Sequence, residues 1–390
     1  MGKLLNYLKS GTGSGFLLIG CVCAALLLAN SPLHDAIARF TAYNLGFDYG
    51  AIQLKYSVKQ WIDDGLMSIF FLMVGLEIKK ELVSGELSSP KKALLPIVAA
   101  IGGAFFPAMI YLLFNNNTAT AHGWGIPMAT DIAFALAVVS MLGNKVPLSL
   151  KIFLAALAIV DDLLAILVIA LFYSSDIHFT YLFIGLAIFA LQLGLNKLGV
   201  KNLWAYLIPG IFLWYFIHHS GIHATIAGVL TAMSIPSKGK KEGSESPLVR
   251  LEHSLSTAVN LLIIPIFAFV NTSIVLHASM LTGLASSLGL GISTGLLVGK
   301  SLGIFVTCWL CVKLKLANLP SGAQWPHIFG VGLLGGIGFT MSIFVAMLSF
   351  TENHYVEEAK LAILLASTVA GLLGYFFLRF LGQKNSEAAP

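Results

Sequence analysis

The sequence predicts an all-α membrane protein in which about twelve helices cross the bilayer, and three observations predict it. Of its 390 residues, 57% are hydrophobic and only 11% charged, with a mean hydropathy of +0.87, which is far from the balance of a water-soluble domain. Apolar stretches long enough to span recur along the whole chain. Lys and Arg also sort between alternate connections. About 18 of the 23 fall at the two ends or in even-numbered connections, about 4 (Arg39, Lys55, Lys59 and Lys360) in odd-numbered ones, and Lys300 falls mid-span. That imbalance predicts cytoplasmic termini and an even number of crossings, because one miscounted span scrambles the sorting downstream of it.

The spans are expected near residues 14–30, 61–78, 93–114, 123–143, 149–173, 180–196, 203–218, 221–235, 255–272, 286–312, 326–350 and 360–380. The first follows Lys3 and Lys9 and ends at Asn30, Ser31 and Pro32. It has the outline of a signal peptide but reads as an uncleaved span. Next, Phe47, Tyr49, Ile52, Leu54, Tyr56 and Val58 recur at mostly even spacing around Asp48 to Gly50. They predict a short periplasmic β-hairpin over 43–58, and since a lone hairpin is marginal in water, it is expected to pair with something. Span two starts with Asp63 and Asp64, read as caps of the positive helix end, and closes with Glu77, Lys80 and Glu81. These last three are at a spacing that by itself suits a solvated, salt-bridged helix end.

Span four carries Gly123, Gly125 and Pro127 just before Thr130 and Asp131, and span eleven carries Gly330, Gly332, Gly335, Gly336 and Gly338 before Thr340. Both are expected to be broken, although Gly alone also serves close helix packing. Each is the middle member of a possible three-helix unit, and an odd-numbered unit repeated after an odd offset has inverted topology. The chain is therefore expected to form one polytopic transmembrane domain over 1–390. Inverted repeats cover about 93–173 and 286–380, and interface helices about 14–78 and 180–272. The polar stretch Ser237 to Pro247 is a flexible cytoplasmic linker. His223, beside Gly221 at the mouth of span eight, reads as a satisfied interfacial histidine. Cys21, Cys23, Cys308 and Cys311 all lie in apolar segments and read as small, inert residues, in spite of the CxxC spacing of the second pair.

Chemistry concentrates on ionisable groups stranded in apolar sequence. Asp161 and Asp162 have roughly ten uncharged residues on either side, and with Asp131 and Lys300 they cost roughly 10 kcal/mol to place at mid-membrane. Groups that expensive point to function. Neighbours on a helix project about 100° apart, so the two acids need not share a task. A buried ammonium is tolerable beside a carboxylate, so Lys300 is expected to pair with one of them. Asp131, Thr130 and a helix break supply a carboxylate, a hydroxyl and free carbonyls, which are hard oxygen ligands for a small hard cation. Where a proton and Na⁺ compete for the same carboxylates, and the site opens to one side at a time, exchange follows without any further device.

Several long strings resemble the NhaA family of bacterial sodium/proton antiporters: GIPMATDIAFAL from Gly125, KIFLAALAIVDDLLAI from Lys151, VGKSLGI from Val298, GGIGFTMSIF from Gly335, FFLMVGLEIKKELVSGEL from Phe70 and SGIHATIAGV from Ser220. The resemblance runs nearly end to end. That family is itself a standard example of inverted repeats, so the repeat reading is not independent of it. The resemblance implies electrogenic, pH-regulated exchange of Na⁺ or Li⁺ for H⁺ in the bacterial inner membrane, with no cofactor. It implies cation and proton binding by Asp162 and Asp161 with Thr130, and broken helices that cross at Thr130 and Asp131. Lys300 would pair with Asp161, and the charges of Asp131 and Lys300 would offset the half-helix dipoles. It further implies pH control around Glu77, Lys80, Glu81, Glu252 and His253, and a homodimer joined through the 43–58 hairpin. The chain departs from the family pattern at Lys80 where Arg is expected, Val249 where Lys is, Ser256 where a second His is, and Leu164 where Gly is. The first three bear on the pH threshold, the last on local packing.

Other classes fit less well. A membrane aspartyl protease typically carries a Gly-x-Gly-Asp string, which does not occur in the sequence, and a prenyl transferase needs acids at four-residue spacing, which Asp161 and Asp162 do not have. A channel or a carrier of another substrate would also use broken helices, but a fixed Lys300 opposes a simple cation pore. The basic residues sit at helix ends and not in a stripe, which argues against nucleic acid as a partner.

Overall fold

The computed structural model describes residues 11–49, 52–174, 177–239 and 244–387. Lys3, Lys9, the hairpin residue Gly50 and residues 240–243 of the polar linker lie outside the described residues. Among the described residues the fold is all-helical apart from four two-residue strands. Among the described residues, eight helices are long and apolar enough to cross a membrane. The count is nine if Trp325–Gly335 and Phe339–Ser349, bent by 47° at a short break, form one span.

Local chemistry explains where helices depart from the expected spans. The ninth stretch begins at Pro247, well before residue 255, because Ser246 caps Val249 N at 3.2 Å and Pro247 is suited to the first helical position. Its first turns are amphipathic, so hydropathy alone does not register them. Met67–Ser84 ends in charged residues, Trp204–His219 has 16 residues and Ile226–Ser234 has 9, so these three fall short of the length or apolarity of a full span. Two short helices, His34–Ala42 and Ala278–Gly283, had no counterpart in the hydropathy pattern.

The chain divides into two compact units. The first comprises Met1–Phe16, Ser84–Val168 and Leu276–Pro390. In it, Pro90–Asn115 packs along the helical run from Ser287 to Lys313. The two backbones approach closely because glycines face each other: a Cβ on Gly303 would collide with the Gly102 carbonyl, and one on Gly299 would sit 2.8 Å from Pro107 Cα. Both breaks expected from the glycines are present. Ala121–Met128 is a 3₁₀ segment, Ala129 is extended (φ −77°, ψ 146°), and an α-helix restarts at Ile132. In the other break, three residues separate the end of Trp325–Gly335 from the start of Phe339–Ser349.

The second unit comprises Leu17–Val83 and Ile169–Val275. Leu76, Tyr206, Ala232, Ile235, Leu248 and Leu251 form a buried apolar cluster in it. Its hairpin pairs Asn44 with Ser57 and Leu45 with Tyr56, then Asp48 with Gln53 and Tyr49 with Ile52, all antiparallel. Between these rungs Gly46 takes φ +122°, and the Leu54 carbonyl occupies the space a Cβ would need.

The capping expected of Asp63 and Asp64 is not what the structure shows. The helix starts earlier, at Val58, where Ser57 caps Gln60 N at 3.1 Å. The two acids lie inside a π-helical turn, Trp61–Leu66. Asp63 Oδ1 accepts from Asn271 Nδ2 at 2.6 Å, and Asp64 Oδ1 lies 3.5 Å from His223 Nε2. His223 also meets Thr225 Oγ1 through Nδ1 at 2.9 Å, as a satisfied interfacial histidine does. Cys308 and Cys311 are buried free thiols. Large apolar side chains such as Leu113, Phe183 and Phe380 remain exposed, which in a multi-span protein is surface for lipid.

Candidate functional site

In the first unit the two breaks are joined directly. Asp131 N donates to Ile337 O at 2.6 Å, and Thr130 Oγ1 donates to Gly335 O at 2.9 Å. Each break frees backbone groups that a continuous helix would satisfy, and each supplies partners for the other. Ser342 Oγ adds a further link by donating to Ile126 O at 2.7 Å.

Asp131 serves both restarting helices. Its Oδ1 accepts from Phe134 N at 3.1 Å and so caps Ile132–Met141. Its Oδ2 accepts from Thr340 N at 3.2 Å and from Thr340 Oγ1 at 2.5 Å, in the first turn of Phe339–Ser349. One carboxylate therefore faces the positive ends of two helices, where each interaction is favourable. The opposite polarity is met by Lys300, whose Nζ donates to the Met128 carbonyl at the end of the 3₁₀ segment.

Lys300 Nζ also lies 2.6 Å from Asp161 Oδ2, and the two side chains are 0% and 1% exposed. At that burial neither charge is held by water, so each depends on the other, and Lys300 also on the Met128 carbonyl to which it donates. Asp162, the next residue of Leu148–Phe172, is buried too, as is Thr130. The Thr130 hydroxyl donates its proton to Gly335 O and keeps its lone pairs as acceptors. Thus Thr130, Asp131, Asp161, Asp162 and Lys300 all belong to one compact unit; Met128, Gly335 and Ile337 link Thr130, Asp131 and Lys300, Asp161 pairs with Lys300, and Asp162 follows Asp161 in the chain. Among the described residues this part of the unit gathers three buried carboxylates, a buried hydroxyl and the buried Lys300 ammonium.

The second cluster lies in the other unit. Lys80 Nζ bridges both carboxylate oxygens of Glu252 at 2.8 Å. Glu77 feels the charges of Glu252, Lys80 and Glu81. His253 turns away: its Nδ1 lies 3.3 Å from Glu245 Oε1, with both side chains at least half exposed. Adjacency in sequence to Glu252 therefore does not bring His253 into the buried part of the cluster.

Sequence reasoning missed Thr340, Ser342 and Ser367. Ser367 Oγ accepts from Gly338 N at 3.2 Å and from Phe339 N at 3.1 Å. A hydroxyl in an apolar helix is a weak signal, since Ser and Thr often bond only their own preceding turn. Lys79, unremarked among its charged neighbours, donates to Met233 O at 2.6 Å and Ile235 O at 2.5 Å, closing the carboxyl end of Ile226–Ser234.

Residues 5–378 match the family model described as Na+/H+ antiporter 1. The chain is 55% identical to Na(+)/H(+) antiporter NhaA 2 of Flavobacterium johnsoniae, over 99% of this chain and 96% of that protein. It is 48% identical to Na(+)/H(+) antiporter NhaA of Flavobacterium psychrophilum, over 97% and 96%. It is also 47% identical to Na(+)/H(+) antiporter NhaA 2 of Clostridium beijerinckii, over 99% and 96%.

Proposed function

Because this chain belongs to the Na+/H+ antiporter 1 family, we propose that it is a multi-pass protein of the bacterial inner membrane that exports Na⁺ or Li⁺ in electrogenic, pH-regulated exchange for protons. It is a secondary transporter and not an enzyme, and its ions are cargo. The observation that carries the reading is the fully buried Asp161–Lys300 pair, with Asp162 beside it and two broken helices joined at Thr130 and Asp131 in the same unit.

Asp161 and Asp162, with the Thr130 oxygen, bind the cation or protons but not both together, and alternating exposure converts that competition into exchange. Asp131 and Lys300 hold the crossing by matching the helix ends that meet there. Glu77, Lys80, Glu81 and Glu252 set the pH response together with His253, and the Lys80–Glu252 bridge supports a coupled cluster. The chain crosses the membrane twelve times with both termini in the cytoplasm, which the sorting of Lys and Arg supports. The inverted repeats at about 93–173 and 286–380 are supported by their two matched helix breaks. The 43–58 hairpin lies on the periplasmic side and joins two copies; its exposed Tyr43, Phe47 and Tyr49 support an interface there.

The test is Na⁺-dependent dequenching of a pH dye in everted vesicles, with K⁺ as the control ion. Asp162→Asn is expected to abolish the Na⁺ response with protein still present in the membrane. Undiminished exchange defeats the assignment.

A further inference from the structure

The Phe339–Ser349 helix restarts at a residue that cannot cap it. Gly338 is the N-cap and carries no side chain, and a Cβ there would collide with Ser342 Oγ and lie 3.1 Å from the Ala129 carbonyl of the other break. The usual caps, Ser, Thr, Asp or Asn, are absent from this position, and Gly338 offers the first turn no side-chain oxygen. The first amides of the helix still need acceptors, because they are buried where no water substitutes. The third, Thr340 N, goes to Asp131. The Gly338 and Phe339 amides converge on one oxygen, Ser367 Oγ, which is contributed from the middle of the Asn353–Glu387 helix and is only 5% exposed.

We propose that Ser367 is a positioning residue for ion exchange, an N-cap supplied from a separate helix that holds the second break at the register Thr130 and Asp131 require. The chain of contacts is short. Ser367 fixes Gly338 and Phe339; the adjoining Ile337 and nearby Gly335 present the carbonyls that Asp131 N and Thr130 Oγ1 engage. With the Ser367 oxygen removed, two buried amides lose their acceptor, and the peptide units from Gly335 to Gly338 shift to find another. Thr130 and Asp131 move with them. Ser367 touches no ion, so the effect reaches transport only through the geometry of the crossing.

This inference rests on the antiport reading above, and the two fail in different ways. Na⁺-driven dye dequenching in everted vesicles is compared for wild type, Ser367→Ala, Ser367→Cys and Ser367→Thr across Na⁺ concentration and pH, with membrane protein amount measured in parallel. No Na⁺ response from wild type sinks the antiport reading itself. Given a wild-type response, Ser367→Ala is expected to raise the apparent KM for Na⁺ about five- to tenfold, the loss of a buried cap expressed as binding. The maximal rate should change less and the pH profile should move, while Ser367→Thr, which keeps the oxygen, should stay close to wild type. Ser367→Cys, with similar volume and a weak acceptor, carries the test if the Ala variant does not accumulate. Wild-type KM and pH profile in Ala and Cys overturn the proposal. So does an equal defect in Thr and Ala, which would assign the site to packing volume.

Discussion

Replacing Lys300 by Ala removes the one cation that serves both Asp161 and the Met128 carbonyl, and the cost can be worked from the structure. Both side chains of the pair are essentially without solvent exposure, so the stranded carboxylate gains no help from water. Breaking a buried pair from one side costs about 3–5 kcal/mol. At roughly 2 °C per kcal/mol for a large chain, the thermal midpoint of the purified protein should fall by about 6–10 °C. Asp161→Asn should cost a similar amount, since it strands the ammonium. The double variant Asp161→Asn with Lys300→Gln puts a neutral, hydrogen-bonding pair in the same space, and should recover a large part of the loss. The assay is thermal melting in detergent for wild type, Asp161→Asn, Lys300→Gln and their double, arranged as a double-mutant cycle, with Lys300→Ala measured alongside. Wild-type midpoints in both single variants, or strictly additive losses in the double, would refute the pairing as a source of stability.

Three further outcomes follow from other contacts. Lys80→Ala should move the pH profile of Na⁺-driven exchange while costing only about 1 kcal/mol of stability, because its partner Glu252 is mostly buried but Lys80 itself is 36% exposed; an unmoved profile argues against a role for this bridge in pH control. His253→Gln should also shift the profile if the imidazole contributes a proton-dependent charge, and a profile superimposable on wild type in the dye assay excludes it as the main sensor. Gly303→Ala puts a methyl group onto the Gly102 carbonyl, so it should lower the melting midpoint by several degrees, as overpacking costs about 1–3 kcal/mol; an unchanged midpoint would show that the two helices can separate at no cost.

Much of this architecture was legible in the sequence because its signals are local. Pro127 with its flanking glycines, and the run from Gly330 to Gly338, weaken the helix where they stand, so both breaks could be placed without knowing what surrounds them. Asp161, Asp162 and Lys300 stood out against apolar neighbours for the same reason. Asp63 and Asp64 show the limit. Their acidity near an expected helix start suggested capping, yet the start depends on Ser57 and the hairpin rung beside it, which a hydropathy window does not weigh. His253 shows it again, since side-chain direction, not proximity in sequence, sends it to Glu245.

By itself the sequence determined that the chain is a bundle of membrane helices, where two of them are interrupted and which charges lie inside, because insertion cost and helix propensity are properties of short segments. Only the tertiary structure decided how the interruptions are satisfied. Thr130 meets Gly335 across 205 residues, and Asp131 meets Thr340 across 209. Ser367 reaches the amides that Gly338 cannot cap. Buried backbone groups need partners, but which residues supply them is settled by which helices come together, and no local pattern encodes that choice.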